Sequence, residues 1–104
     1  MKILLTIITF SFTATSVYAD DWRKTCDSYS ELAETTMNGR QSGTPMAKMM
    51  KVLSNDEGSE LFEKLIIAAY DSPRYSTERM QQRSIEEFRD EKYLECAKAM
   101  RAKK

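Results

Sequence analysis

The residues in this chain most capable of chemistry are two thiols, Cys26 and Cys96, and the sequence holds no further cysteine. Such a pair can act in redox catalysis, bind a metal or form a structural disulfide, and its spacing indicates which. Redox-active pairs usually form a C-x-x-C motif, whereas these two residues are widely separated. We therefore predict a structural disulfide, for which only one pairing within the chain exists.

Methionine thioethers are the second group with chemical potential. Met46, Met49 and Met50 follow a helical spacing, and soft sulfur ligands of this kind can bind Cu(I). Methionine also fills irregular hydrophobic cores or lines adaptable binding grooves. The spacing favours core packing, so we predict no cofactor and no metal site, and keep these three residues as alternative copper ligands.

Catalytic groups are scarce. The chain contains no histidine, which removes the commonest general base and metal ligand. It has no G-x-S-x-G motif. The carboxylate pairs Asp56-Glu57 and Glu86-Glu87 are adjacent residues, whose side chains point apart on a helix. The sequence therefore predicts a protein that is not an enzyme.

The N-terminus has the order of a secretory signal peptide. Lys2 precedes the apolar run Ile3–Phe10, and a stretch of small residues ends in Val17-Tyr18-Ala19. This order predicts a signal peptide over residues 1–19 and export of residues 20–104. An uncleaved anchor is the alternative, although the apolar run is about the shortest that spans a bilayer. We predict a periplasmic or secreted protein without a stable membrane anchor, in a compartment where disulfides form.

Size and charge limit the remaining choices. Residues 20–104 are enough for one domain, and the hydrophobic core of a domain this small would by itself supply only marginal stability. A disulfide that closes most of this domain would add about 4 kcal/mol of stability. The chain has 16 basic and 16 acidic residues, which argues against nucleic acid as a partner.

Hydrophobic spacing predicts four helices and no strand. The first spans Asp21–Asn38 and ends at Asn38-Gly39, a pair typical of a helix C-terminus. Its apolar face contains Trp22, Cys26, Tyr29, Ala33 and Met37. A loop, Arg40–Gly43, follows.

The second predicted helix, Pro45–Leu53, has Thr44 as its N-cap. The third spans Glu57–Tyr70 and is ended by Pro73; its apolar stripe includes Leu61. The fourth begins near Ser76 or Thr77 and extends to Ala102. We predict a small all-α, four-helix bundle-like domain, stapled by one disulfide between antiparallel first and last helices.

Polar residues in the predicted loops are candidates for partner binding. Arg40-Gln41 follows the first helix, Arg74-Tyr75 follows Pro73, and Trp22 lies near the mature N-terminus. Arginine, tyrosine and tryptophan are enriched at binding hot spots, and loops often carry function. The alternative is structural: the arginines bond helix C-terminal carbonyls, Tyr75 packs over the core edge, and Trp22 plugs the open end of the bundle.

Residues 20–104 contain, in order, Cys26, Arg40-Gln41-x-Gly43, Ala69-Tyr70-x-x-Pro73-Arg74-Tyr75 and Cys96. This order resembles a group of short exported proteins of bacterial and phage genomes, which implies an exported helical fold and no particular activity. Trp22-x-x-x-Cys26 is loosely similar to the start of the acid-stress periplasmic chaperones, small helical proteins held by one disulfide.

We therefore predict an exported, non-enzymatic module that binds another protein of the bacterial envelope. Inhibition of an envelope enzyme and exclusion of a competing phage are two forms this activity could take. The alternatives are a periplasmic acid-stress chaperone and a methionine-based copper carrier. We expect a monomer or a homodimer, because a Met-rich face could remain partly uncovered within one chain.

Overall fold

The computed structural model describes residues 18–53 and 59–102, which form four α-helices and no strand. They are α1 (Tyr18–Ser42), α2 (Met46–Leu53), α3 (Ser59–Asp71) and α4 (Glu78–Arg101). This confirms the predicted all-α, four-helix architecture.

Several sequence predictions fall on residues that the structure leaves undescribed. The predicted signal peptide lies outside the described residues up to position 17, and Tyr18 and Ala19 begin α1. The predicted start of the third helix at Glu57 lies outside them too, as does the pair Asp56-Glu57.

The core forms where α3 and α4 pack against α1, and α2 packs on α3. α1, α3 and α4 each contribute residues three or four positions apart, because that spacing places side chains on one helical face. Apolar side chains shielded in this way supply most of the stability of a small domain. The buried cluster consists of Ala33, Met37, Leu65, Ala69, Ile85 and Phe88.

A disulfide joins α1 and α4, as predicted. Cys26 and Cys96 have Cα atoms 5.6 Å apart, and Cys26 is fully buried. The bridge joins the first part of α1 to the last part of α4, while Gln41 near the end of α1 contacts Ser84 near the start of α4. The two helices are therefore antiparallel. The bond indicates folding in an oxidising compartment outside the cytoplasm.

The predicted end of the first helix is wrong. α1 continues through Gly39 to Ser42, so the predicted loop Arg40–Gly43 is mostly helical. Gly39 serves packing instead, since a Cβ there would collide with the Met49 side chain. Gly43 ends the helix with φ +87°, a conformation that favours glycine.

The end of α1 is a Schellman motif. The Gly43 amide donates to the Arg40 carbonyl at 3.2 Å, and the Thr44 amide donates to the Gly39 carbonyl at 2.9 Å. These two bonds satisfy carbonyls that a helix end leaves without partners. The chain reverses direction here and enters α2.

The sequence also predicted the N-terminal caps of α2 and α4, with different outcomes. The predicted N-cap at Thr44 is wrong, because α2 begins at Met46 and the Pro45 carbonyl accepts from the amides of Lys48 and Met49. The start of the fourth helix is confirmed: Thr77 is its N-cap, and the hydroxyl accepts from the Met80 amide at 3.3 Å.

We expect loss of the disulfide to destabilise the fold strongly. The Cys26→Ser/Cys96→Ser variant should melt about 15 °C or more below the oxidised protein, since the crosslink contributes about 4 kcal/mol in a domain of this size. Thermal melting followed by circular dichroism measures this. A reductant should lower the melting temperature of the wild type equally and leave the variant unchanged. A wild type insensitive to full reduction would contradict the prediction.

Candidate functional site

Four of the five candidate binding residues lie at one end of the bundle. The C-terminal turn of α1 with the following loop (residues 40–45) packs against the connection between α3 and α4 (residues 72–77). We call this surface the double-turn face. Trp22 lies away from it, one turn before Cys26 in α1, where the Arg23 guanidinium stacks 5.3 Å from its ring centre.

Gln41 holds the two parts of the double-turn face together. Its side chain is 2% exposed, and its Oε1 accepts from the Tyr75 amide at 2.8 Å. Its Nε2 donates to the Pro73 carbonyl at 2.9 Å and lies 3.5 Å from the Ser84 hydroxyl. One buried amide therefore fixes α1, the 72–77 connection and α4 in a single arrangement.

Arg40 supports this arrangement from the α3 side. Its Nε donates to the Ser72 carbonyl at 3.2 Å, just beyond the end of α3. Its guanidinium stacks over the ring of Tyr70, with 5.4 Å between the guanidinium carbon and the ring centre. The Tyr70 hydroxyl in turn donates to the Thr44 carbonyl. The three contacts join the end of α3 to the start of α2.

Arg74 completes the connection from the other side. Its Nε donates to the Gln41 carbonyl at 3.3 Å, in the last turn of α1. Its guanidinium lies directly against Gly43, where a Cβ would come within 2.7 Å of Nη2. Gly43 therefore meets two requirements, its own backbone conformation and the close approach of Arg74. Both arginines therefore bond carbonyls at helix ends, which is the contact that the structural alternative expects.

Tyr75 is half-buried beside this network. Its carbonyl accepts from the Gln81 side chain at 2.7 Å. It also lines a shallow recess with Met80 and Ser84. The 72–77 connection is thus fixed to α4 as well as to α1.

A polar cleft of about 460 Å³ adjoins the double-turn face between the end of α1 and the start of α4. Its polar lining includes Ser42, Glu78 and Arg79, and Ile85 lies among these groups. The cleft can take up polar groups of a ligand. Sequence reasoning missed it, because it exists only where two helices distant in the chain are brought together.

An apolar groove of about 390 Å³ lies at the opposite end, beside the disulfide. Leu61, Cys96 and Met100 contribute to it. Leu61 belongs to the stripe that the sequence predicted to be buried, yet it is 52% exposed. That part of the prediction is wrong, since the stripe of α3 is wider than the surface that α1 covers.

The methionines fall into different environments. Met37 and Met49 are buried, and Met49 packs against Gly39, which confirms core packing for these two. Met46, predicted to lie in the buried stripe of α2, is 36% exposed, and Met50 is half-buried. The copper site at Met46, Met49 and Met50 stays a prediction. Among the described residues, no group of three histidine, cysteine or acidic side chains could hold a metal ion.

No family of known proteins, no curated protein and no solved structure matches this chain. Within the described residues, no helix has the length and apolar character needed to cross a bilayer.

Two tyrosines have shifted acidities. Burial raises the pKa of Tyr29 above its ordinary value of 10.0, although the charge of Lys92 opposes the rise. Burial likewise raises the pKa of Tyr70, with the Arg40 charge acting in the opposite direction. Both hydroxyls therefore stay protonated at neutral pH, which the Tyr70 bond to Thr44 requires.

We expect Gln41→Leu to cost about 2–3 kcal/mol in the free energy of unfolding. It removes one donor and one acceptor, so the Tyr75 amide and the Pro73 carbonyl lose their partner. Urea denaturation measures the loss. The matched control Gln82→Leu alters an exposed glutamine on α4 and should change stability by less than about 0.5 kcal/mol. Equal effects of both substitutions would show that Gln41 does not hold the face together.

The tyrosine shifts predict a loss of stability in alkali. Their folded pKa values exceed the unfolded value near 10, so stability is complete below pH 10 and falls as pH rises through the folded values. The urea midpoint should therefore stay constant up to about pH 10 and decrease above it. It should decrease less in Tyr29→Phe/Tyr70→Phe, compared with each protein's own value at neutral pH. An identical decrease in both proteins would refute this assignment.

Proposed function

We propose that this chain is an exported, non-enzymatic binding module that recognises another protein of the bacterial envelope through the double-turn face. The observation that carries the proposal is the fixed geometry of this face. The 72–77 connection, which would ordinarily be mobile, is fastened to the last turn of α1 by the side chains of Gln41, Arg40 and Arg74.

Fixed connections favour recognition for a thermodynamic reason. A mobile loop loses conformational freedom when it binds, and this loss weakens the affinity. Here the ordering has already occurred during folding, because Gln41 and the arginines hold residues 72–77 against the end of α1. A partner that contacts this face would meet a surface close to its bound shape.

The side chains available on the face suit protein contacts. Arg74 is exposed and Tyr75 is half-exposed, and both residue types are enriched at the centres of protein interfaces. Ser42, Ser76 and Thr77 add exposed hydroxyl groups around them. A polar, rigid surface of this kind fits a protein partner, and blocking an envelope enzyme is one activity it could serve.

The export component of the proposal is supported by two independent features. The disulfide between Cys26 and Cys96 fits an oxidising compartment, and the N-terminal order of charge, apolar run and small residues is that of a signal peptide. A periplasmic or secreted location satisfies both.

Site-specific photocrosslinking in cells of the source bacterium or host tests this proposal. A photoreactive amino acid at Ser42 or Ser76, both exposed on the double-turn face, should capture the same envelope protein. The same probe at Leu94, exposed on the outer side of α4, is the matched control and should capture little of it. Capture from Leu94 at the same yield, or capture from neither position on the face, would refute the proposed binding surface.

A further inference from the structure

The charges of the double-turn face have no counter-charges within it. Residues 40–45 and 72–77 contain two arginines, Arg40 and Arg74, and no carboxylate. The ion pairs that the structure shows among the described residues all lie elsewhere: Lys64–Glu60, Arg83–Glu87, Arg89 with Glu34 and Asp90, and Lys92–Glu95. A chain with equal numbers of acidic and basic residues thus has a locally cationic face.

The way the arginines are held leaves part of each guanidinium available. Arg40 and Arg74 each use Nε for a backbone carbonyl. Within the described part of the chain, their terminal Nη atoms make no hydrogen bond or ion pair. A guanidinium fixed through Nε keeps its two Nη groups as a planar pair of donors, which matches the two oxygens of a carboxylate.

Neighbouring groups carry charges of both signs. Arg79 lies in the adjoining cleft and, among the described residues, has no ion pair, although Glu78 lines the same cleft. The N-terminus of α4 also lies at this end, where a helix favours negative charge, although the Thr77 hydroxyl already accepts from the Met80 amide and Glu78 stands in the first turn. Asp71, the last residue of α3, immediately precedes the 72–77 connection and is also acidic.

Resting on the proposed function, we infer that the partner presents an acidic segment, whose glutamate or aspartate carboxylates bind Arg74 and Arg40. A protein is favoured over an anionic membrane because the face has no exposed large apolar side chain. The exposed ones are Met46, Val52, Leu61, Ile67, Met80 and Leu94; none lies in residues 40–45 or 72–77, and only Met46, next to Pro45, and Met80, in the recess beside Tyr75, border the face. Surfaces that bind membranes combine several cations with apolar residues that insert among the lipids.

Titration of the oxidised protein by nuclear magnetic resonance tests the inference without any substitution. The probes are a synthetic poly-glutamate peptide, the matched poly-glutamine peptide and vesicles of phosphatidylglycerol. Poly-glutamate should shift the Nε–Hε signals of Arg74 and Arg40 more than that of Arg83, which already pairs with Glu87. About 0.5 M salt should abolish these shifts, because exposed charges are screened at that concentration.

A matched pair of variants adds a quantitative readout. Arg74→Gln should bind poly-glutamate about tenfold more weakly or worse, whereas Arg83→Gln should bind like the wild type. Equal shifts with poly-glutamine, or equal affinities of both variants, would overturn the acidic partner. Binding to the vesicles in place of the peptide would also overturn it, in favour of a lipid surface.

The two proposals fail in different ways. If photocrosslinking from Ser42 and Ser76 captures a partner but poly-glutamate shows no preference for Arg74, the face binds a protein and the acidic chemistry is wrong. If the arginines bind poly-glutamate but no partner is captured through the face, the chemistry is present and the proposed function is wrong.

Discussion

The structure depends on one constraint, namely that α1 must stay packed between Cys26 and Gln41, the two positions at which it is fastened to α4. The disulfide makes the tie near the start of α1, where Cys26 is fully buried, and the Gln41 side chain makes it near the end. Between these points, Ala33 and Met37 contribute to the shared core. These two links add stability that a domain of this size needs, because its hydrophobic core alone stabilises the fold only marginally.

The two ties differ in what they specify. The disulfide fixes only one pair of positions, and in the usual account it acts mainly by restricting the unfolded chain. The Gln41 amide specifies the folded state, because its donor and acceptor must meet the Pro73 carbonyl and the Tyr75 amide together. A buried polar group that satisfies its hydrogen bonds only in one arrangement disfavours the others. The double-turn face therefore depends on Gln41 more directly than on the disulfide.

The sequence predicted the features that depend on spacing and missed those that depend on neighbours. Hydrophobic periodicity predicted the four helices, because it depends only on neighbouring residues in the sequence. The disulfide was predicted because two cysteines allow only one pairing within the chain. The end of α1 was missed because Asn38-Gly39 resembles a helix stop, whereas Gly39 lies within the helix and leaves room for the end of the Met49 side chain from α2. Burial of Gln41 did leave a signal: it lies four residues after Met37 on the face that includes Cys26 and Ala33. Extending that periodicity past Gly39 would have placed Gln41 against the core.

The residue at position 74 fits the proposed role of the double-turn face better than a lysine would. A single carbonyl at the end of α1 could be satisfied by a lysine, whose ammonium also favours a helix C-terminus. Arginine satisfies it through Nε and holds a planar pair of donors at the surface, where Arg74 is exposed. The same division occurs at Arg40, which bonds Ser72 through Nε and stacks on Tyr70. In the proposed function, the contacts that rigidify the 72–77 connection would also orient the groups that a partner meets, so stability and recognition would depend on the same two side chains.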